Sequence, residues 1–197
     1  MGSFGAAVSA DNTPSSVSID PRAIAAAFEA NVSGGRGLRG GSTLTQQLAK
    51  NLFLSPSRTL MRKVQEVALA WELERRLPKS QILETYLNII EWGPGIYGVF
   101  DAAAHYFDAS PKELSLKESA FLASIIPGPR RYHSYYLKGA ISPRWDKRVG
   151  EILHQMALLG HISRGEAARA QGEVLVFSTP EEGDLEAGFR EDINPWR

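Results

Sequence analysis

The 197-residue chain has no cysteine, no net charge and no long apolar run, and each absence removes a class of protein. Without cysteine there are no disulfides and no thiolate chemistry, although the compartment stays open because exported proteins can lack cysteine too. Lys+Arg and Asp+Glu both total 22, so no overall field draws the chain to nucleic acid or to an anionic membrane, and any cationic site must be a local cluster. No stretch reaches the roughly 18 apolar residues that read as a membrane span, and no signal peptide opens the chain. Met1-Gly2-Ser3 reads as a start left by trimming, which is compatible with an anchor ahead of it. The four histidines show no metal-ligand spacing, so no protein-built metal site is expected. The glycine-rich stretch lacks the Gly-Lys-Ser/Thr ending of a nucleotide P-loop, and no Ser-x-x-Lys nucleophile pattern is present.

What is there suits one mostly α domain. A hydrophobic fraction of 43% over this length can bury one core. Residues 8–20 are rich in Ser, Asn, Asp and Pro and read as a loop. Asp20-Pro21 supplies a cap and a first-turn proline for an Ala-rich helix to about Asn31. Gly34, Gly35, Gly37, Gly40 and Gly41, with Arg36 and Arg39 between them, predict a basic loop, after which Ser42 or Thr43 caps the next helix. Apolar residues at helical spacing (Leu60, Val64, Val67, Ala68, Trp71) predict a long buried helix over 59–77, stopped by Pro78. Further helices are expected over 79–90, 97–107, 116–126, 144–159 and 164–171, with turns at Trp92-Gly93-Pro94-Gly95 and Pro127-Gly128-Pro129 and a tyrosine-rich loop at Tyr132, Tyr135 and Tyr136. Only Val174 to Phe177 resembles a strand. The resulting plan is an N-terminal loop over 1–18, one domain over 19–178 and an acidic flexible tail over 179–197.

The chemistry concentrates at Gly40–Asn51 and Arg62–Glu66. Ser42, Thr43 and Thr45 open a helix whose N-terminal N–H groups favour anions, and Gln46 and Gln47 can donate to sugar or phosphate oxygens. Lys50, Arg58, Arg62 and Lys63 can stabilise a diphosphate leaving group as it gains charge. Arg62 and Glu66 are four apart and Lys63 and Glu66 three apart, so the three can share a face, where Glu66 orients the cations or touches substrate. The plainer alternatives are a simple Ser/Thr cap and a solvated surface pair worth a few tenths of a kcal/mol. Glu84 and Glu91 read as structural acids more readily than as a catalytic pair, and His105, beside Tyr106 and Phe107, as a packing residue. Phe53, Leu54 and Leu60 are open to two readings, a lipid-contacting patch or core.

Several blocks in order carry a family resemblance: GGSTLTQQLAKN at 40–51, RKVQE at 62–66, ILETYLNIIEWGPGIYG at 82–98, AAAHYF at 102–107 and FLASIIPGP at 121–129. Over roughly residues 19 to 171 the chain resembles the family-51 peptidoglycan glycosyltransferases, most closely the monofunctional bacterial transglycosylases. The resemblance implies a lysozyme-like, mostly helical fold and a place in the cell envelope, at the outer face of the cytoplasmic membrane. It implies a polyprenyl-diphosphate glycolipid of the lipid II class as substrate, with a glutamate deprotonating the acceptor sugar's 4-hydroxyl and cations holding the departing diphosphate. No built-in cofactor is implied, only a divalent cation (Mg or Mn) bound through the substrate diphosphate. Partners would be that glycolipid or a related prenyl diphosphate and a membrane surface, not nucleic acid.

One block is missing. The family's first motif, Glu-Asp followed by Phe, His and Gly, should precede Ile19-Asp20, but the glutamate position falls on Ser9 or Ala10 and the Phe and His positions hold Thr, Pro or Ser. None of these takes a proton near neutral pH, and loss of a positioned base typically costs about 10²–10⁴ in rate. Three expectations follow: an active transglycosylase using Glu66 or Asp11 as a substitute acid, a binding module for lipid-linked sugars, or an enzyme repurposed for another prenyl diphosphate.

Overall fold

A computed structural model describes residues 22–33, 43–54 and 59–180. The expected loops at 1–18 and around Gly34–Gly41, the Asp20-Pro21 helix start, Ser42, Arg58 and most of the acidic tail lie outside these residues.

The described chain is mostly helix. In order it forms α1 (Arg22–Ser33), α2 (Leu44–Phe53), α3 (Leu60–Arg76), α4 (Lys79–Ile89), β1 (Glu91–Gly93), β2 (Ile96–Tyr97), α5 (Val99–Phe107), α6 (Leu116–Ile125), α7 (Pro129–Tyr132), α8 (Ser134–Leu137), α9 (Pro143–Leu158) and α10 (Arg164–Gly172). Helix starts follow local chemistry. Thr43, Thr59, Ser142 and Ser163 each accept the backbone N–H three residues on, and Ser115 with Glu118 closes a reciprocal capping box at α6.

The core lies among α1, α6 and α9, with α10 on α9 and α2 against α3 and α4. Nearly every α6 residue from Lys117 to Ile125 is buried, the pattern of a central helix. Asn31 ties the three core helices together: its amide donates to Ala123 O at 2.7 Å, and its carbonyl accepts from Arg148 of α9. Lys117 is only 5% exposed. Its ammonium donates to Gln171 O at 3.2 Å and Glu173 O at 2.6 Å and pairs with Asp146 at 2.8 Å, which uses all three of its donors.

Four expectations need correction. The 59–77 helix forms, but its apolar stripe is not buried: Leu60 is 89% exposed, and Met61, Val64, Val67 and Trp71 are exposed with it. The inward face of α3 instead carries Glu66 and Ala70, because the periodicity fixes which residues share a side and not which way that side looks. Second, the strand-like Val174–Phe177 forms no strand among the described residues; Phe177 packs on Phe107 and Phe121 instead. Third, the described strands are those of a small hairpin around the Gly-Pro-Gly turn, where β1 pairs antiparallel with β2, so α5 begins at Val99 rather than Tyr97. Gly98 makes the turn into α5 with φ of +84°, and a Cβ there would sit 2.8 Å from Asn88 O. Fourth, the tyrosine-rich loop is two short helical turns, α7 and α8, stiffened by Tyr132 and Tyr135 against Trp145.

The hairpin is anchored from both sides. Tyr106 donates to Trp92 O at 2.9 Å and contacts His133 Nδ1 at 3.1 Å. A phenol has one proton, already given to a carbonyl, so His133 Nδ1 carries the hydrogen in that contact. Glu91 accepts from Arg130 of α7 through both oxygens, at 2.7 and 3.1 Å.

Candidate functional site

The helix α2 begins at Thr43 because the Thr43 hydroxyl takes up the Gln46 N–H at 3.2 Å. Beyond that cap, Gln46 and Gln47 are half-buried on α2 and Lys50 is exposed in its last turn. Gln46 and Lys50 are one turn apart, as are Gln47 and Lys50, so they lie along one side of the helix. Thr45 is 5% exposed and faces the interior, so it packs rather than meeting a ligand directly.

The next helix brings its cations alongside. From α3, Lys63 Nζ donates to Gln46 Oε1 at 3.3 Å and to Glu66 Oε1 at 2.5 Å. Arg62 donates to Glu66 Oε2 at 3.2 Å. Glu66 is 3% exposed, so a buried carboxylate sits between two cations with one oxygen on each. Burial without such partners would be prohibitive for a charge. Pairing to one buried carboxylate fixes where both cationic heads point. Arg62 Nε is buried without a hydrogen-bond partner among the described residues, and the side chain as a whole is 18% exposed.

The structure therefore brings together Thr43, Gln46, Gln47, Lys50, Arg62, Lys63 and Glu66 on neighbouring stretches of α2 and α3. It sets Thr45 inward, and Ser42 and Arg58 lie outside the described residues. What the cluster can do chemically is bind an anion: it offers ammonium, guanidinium and amide donors beside a capped helix start. No group of three or more His, Cys, Asp or Glu able to hold a metal occurs among the described residues, and the acid of the cluster is already shared between cations.

One participant was not visible in the sequence. Tyr86 of α4 donates its hydroxyl to Gln47 Oε1 at 3.0 Å across 39 positions of chain. Its spacing with Ile82 and Ile90 marks it as core, which it is at 2% exposed, and no sequence signal shows that its polar tip reaches α2. Burial pushes its phenol up to about 12, so it remains a protonated donor at ordinary pH. Glu84 is exposed on another side of α4, beside an apolar cavity lined by Leu83, Leu87 and Phe100, and Glu91 is the clamp for Arg130. His105 packs with Tyr106, His133 and Tyr136.

Comparison with known proteins places these features in a family. The family model described as Transglycosylase matches residues 14–157. A biosynthetic peptidoglycan transglycosylase of Herminiimonas arsenicoxydans is 48% identical over 135 residues, 67% of this chain and 58% of that protein. Proteins of the same description from Methylobacillus flagellatus (49% over 109 residues, 55% of this chain and 48% of that one) and Cupriavidus metallidurans (53% over 104 residues, 53% and 45%) are similar as well. The chain spans about half the length of these curated relatives. Among solved structures, penicillin-binding protein 1A from Haemophilus influenzae aligns with a TM-score of 0.47 at 24% identity, over 86% of this chain and 18% of that one. With the family model spanning most of its length, this chain belongs to the transglycosylase family.

Proposed function

We propose that the chain is a peptidoglycan glycosyltransferase domain that binds a polyprenyl-diphosphate-linked disaccharide of the lipid II class and transfers its sugar with departure of the diphosphate lipid. The observation that carries this reading is the Arg62–Glu66–Lys63 triad joined to Gln46. A diphosphate accumulates charge as its bond to sugar breaks, and donors already in place lower the barrier because they need no reorganisation. Lys50 adds an exposed cation on the same side of α2. Glu66 is the acid assigned to catalysis, and its position between the two cations makes orienting them its first task. A divalent cation, Mg or Mn, would enter on the diphosphate itself, since the cluster's acid is engaged by Arg62 and Lys63.

The exposed stripe of α3 supports a membrane-surface setting for this chemistry. Leu60, Val64, Val67 and Trp71 run along one side of the helix and are exposed, as are Leu52 and Phe53 of α2. Apolar surface of this kind beside a site for a lipid-tailed substrate suits the outer face of the cytoplasmic membrane in the cell envelope. No helix among the described residues is long and apolar enough to cross a membrane.

A second reading has its own support. With Ser9 or Ala10 at the first motif's acid position, and both Glu66 oxygens on cations, the chain is suited to a non-polymerising role: holding lipid-linked sugars, or assisting diphosphate departure from another prenyl diphosphate, a step that needs cations more than a base. Incubation with labelled lipid II separates the readings. Polymer supports the transferase, binding without polymer the module, and diphosphate release from simpler prenyl diphosphates the repurposed enzyme. Absence of all three would remove the diphosphate-binding reading.

A further inference from the structure

The two glutamines of α2 each have their side-chain carbonyl oxygen engaged from below by a neighbouring helix. Lys63 Nζ takes Gln46 Oε1 at 3.3 Å, and an ammonium has only hydrogens to offer, so the atom facing it must be the oxygen. Tyr86 OH takes Gln47 Oε1 at 3.0 Å. An amide held by its oxygen presents its NH₂ at the other end of the same plane, away from the group that holds it. With their oxygens so engaged, both glutamines are left with their NH₂ groups to offer, the polarity a phosphate or sugar oxygen requires. An unheld amide rotates and offers its carbonyl oxygen to the anion for part of the time.

Tyr86 is well placed to impose this. It is 2% exposed, its ring packs on Phe28 of α1 with centroids 5.5 Å apart, and Ile82 and Ile90, one turn away on either side along α4, are buried with it. A ring so confined holds one rotamer. Because burial keeps the phenol protonated, the hydroxyl stays available as a donor.

We propose that Tyr86 is a positioning residue for substrate binding, its hydroxyl fixing the Gln47 amide with NH₂ outward so that α2 shows donors only to the diphosphate-sugar ligand. The inference rests on the diphosphate reading given above, and the experiment keeps the two separable. Binding of farnesyl diphosphate is measured for the full chain, Tyr86→Phe, Gln47→Ala and the double variant, alongside the ¹⁵N–¹H side-chain amide signals of Gln47 in wild type and Tyr86→Phe. Losing one hydrogen-bond constraint corresponds to about 3- to 10-fold weaker binding. Tyr86→Phe should show that loss in the wild-type background and none beyond Gln47→Ala in the double variant, because the hydroxyl acts through the amide.

The Gln47 NH₂ should be as rigid as the backbone in wild type and become mobile in Tyr86→Phe. A tyrosine needed only for packing would leave that amide unchanged. Equal losses in both backgrounds, or a Gln47 amide already mobile in wild type, would overturn the positioning role. If wild type binds no diphosphate, the functional reading fails, and the amide signals still decide the role of Tyr86. Should Tyr86→Phe fold poorly, the wild-type amide measurement stands without it.

Discussion

Glu66 shows how much one buried carboxylate organises. Removing it leaves Arg62 facing the interior with its partner gone and releases Lys63 from its shortest contact. Breaking a buried pair costs about 3–5 kcal/mol, and Lys63 is 45% exposed, so solvent recovers part of that; Glu66→Ala should lose about 2–3 kcal/mol by urea titration. Lys50→Ala combined with Arg62→Ala should abolish binding of a lipid diphosphate in a calorimetric titration, and unchanged affinity would sink the cationic cradle. Tyr86 adds a pH dependence. Its phenol titrates near 10 when unfolded and is pushed up to about 12 by burial, so its contribution is complete below pH 10 and lost as pH rises toward 12. Denaturant midpoints across pH 9–12 should fall for wild type and fall less for Tyr86→Phe. At this scale the sequence showed the residue types and the Arg62–Glu66 and Lys63–Glu66 spacings, since both partners ride on one helix. It could not show Lys63 reaching Gln46 or Tyr86 reaching Gln47, because those contacts depend on how three helices pack.

Among the elements, α3 separates what periodicity reveals from what it hides. Leu60, Val64, Val67 and Trp71 share a side as the pattern requires, yet that side faces outward while Glu66 and Ala70 are buried. A rule that turns apolar stripes inward assumes water on the other side of the helix; where a lipid surface is the expected neighbour, the rule inverts. Val64→Asp with Trp71→Ser should therefore reduce sedimentation with phosphatidylethanolamine–phosphatidylglycerol vesicles about tenfold while changing folding stability by only about 0.5 kcal/mol, as surface substitutions do. Equal vesicle binding by the variant would count against a membrane role for α3. The start of α2 was legible as a Ser or Thr ahead of a helical run, the hairpin at Glu91–Tyr97 was legible only as a turn, and Val174–Phe177 looked like a strand because its alternation is real, with Leu175 and Phe177 packed inward and Val174 and Val176 exposed.

For the whole molecule, the mostly α class and the placement of the cluster on two successive helices were readable because long motifs occur in family order and each carries its own helix signal. The N-terminal motif position and the basic glycine-rich stretch could be read only as sequence, since they fall outside the described residues. The cluster's acid being shared between two cations leads to a further expectation: EDTA should lower any turnover on lipid II while leaving the thermal midpoint of the ligand-free protein unchanged, because the cation would arrive with substrate rather than with the fold. A midpoint that drops with chelator would point to a structural metal instead.

Lys117 closes the chain in a different way. Helices ordinarily unravel from their last turn, where carbonyls have no amide to meet. At the end of α10 the carbonyls of Gln171 and of Glu173 just beyond it are capped by an ammonium rooted in the deeply buried α6. Fraying of α10 therefore takes two of three acceptors from a buried ammonium and leaves it only Asp146, so amides near residue 170 should exchange with solvent at the pace of global opening rather than at the pace of a loose end.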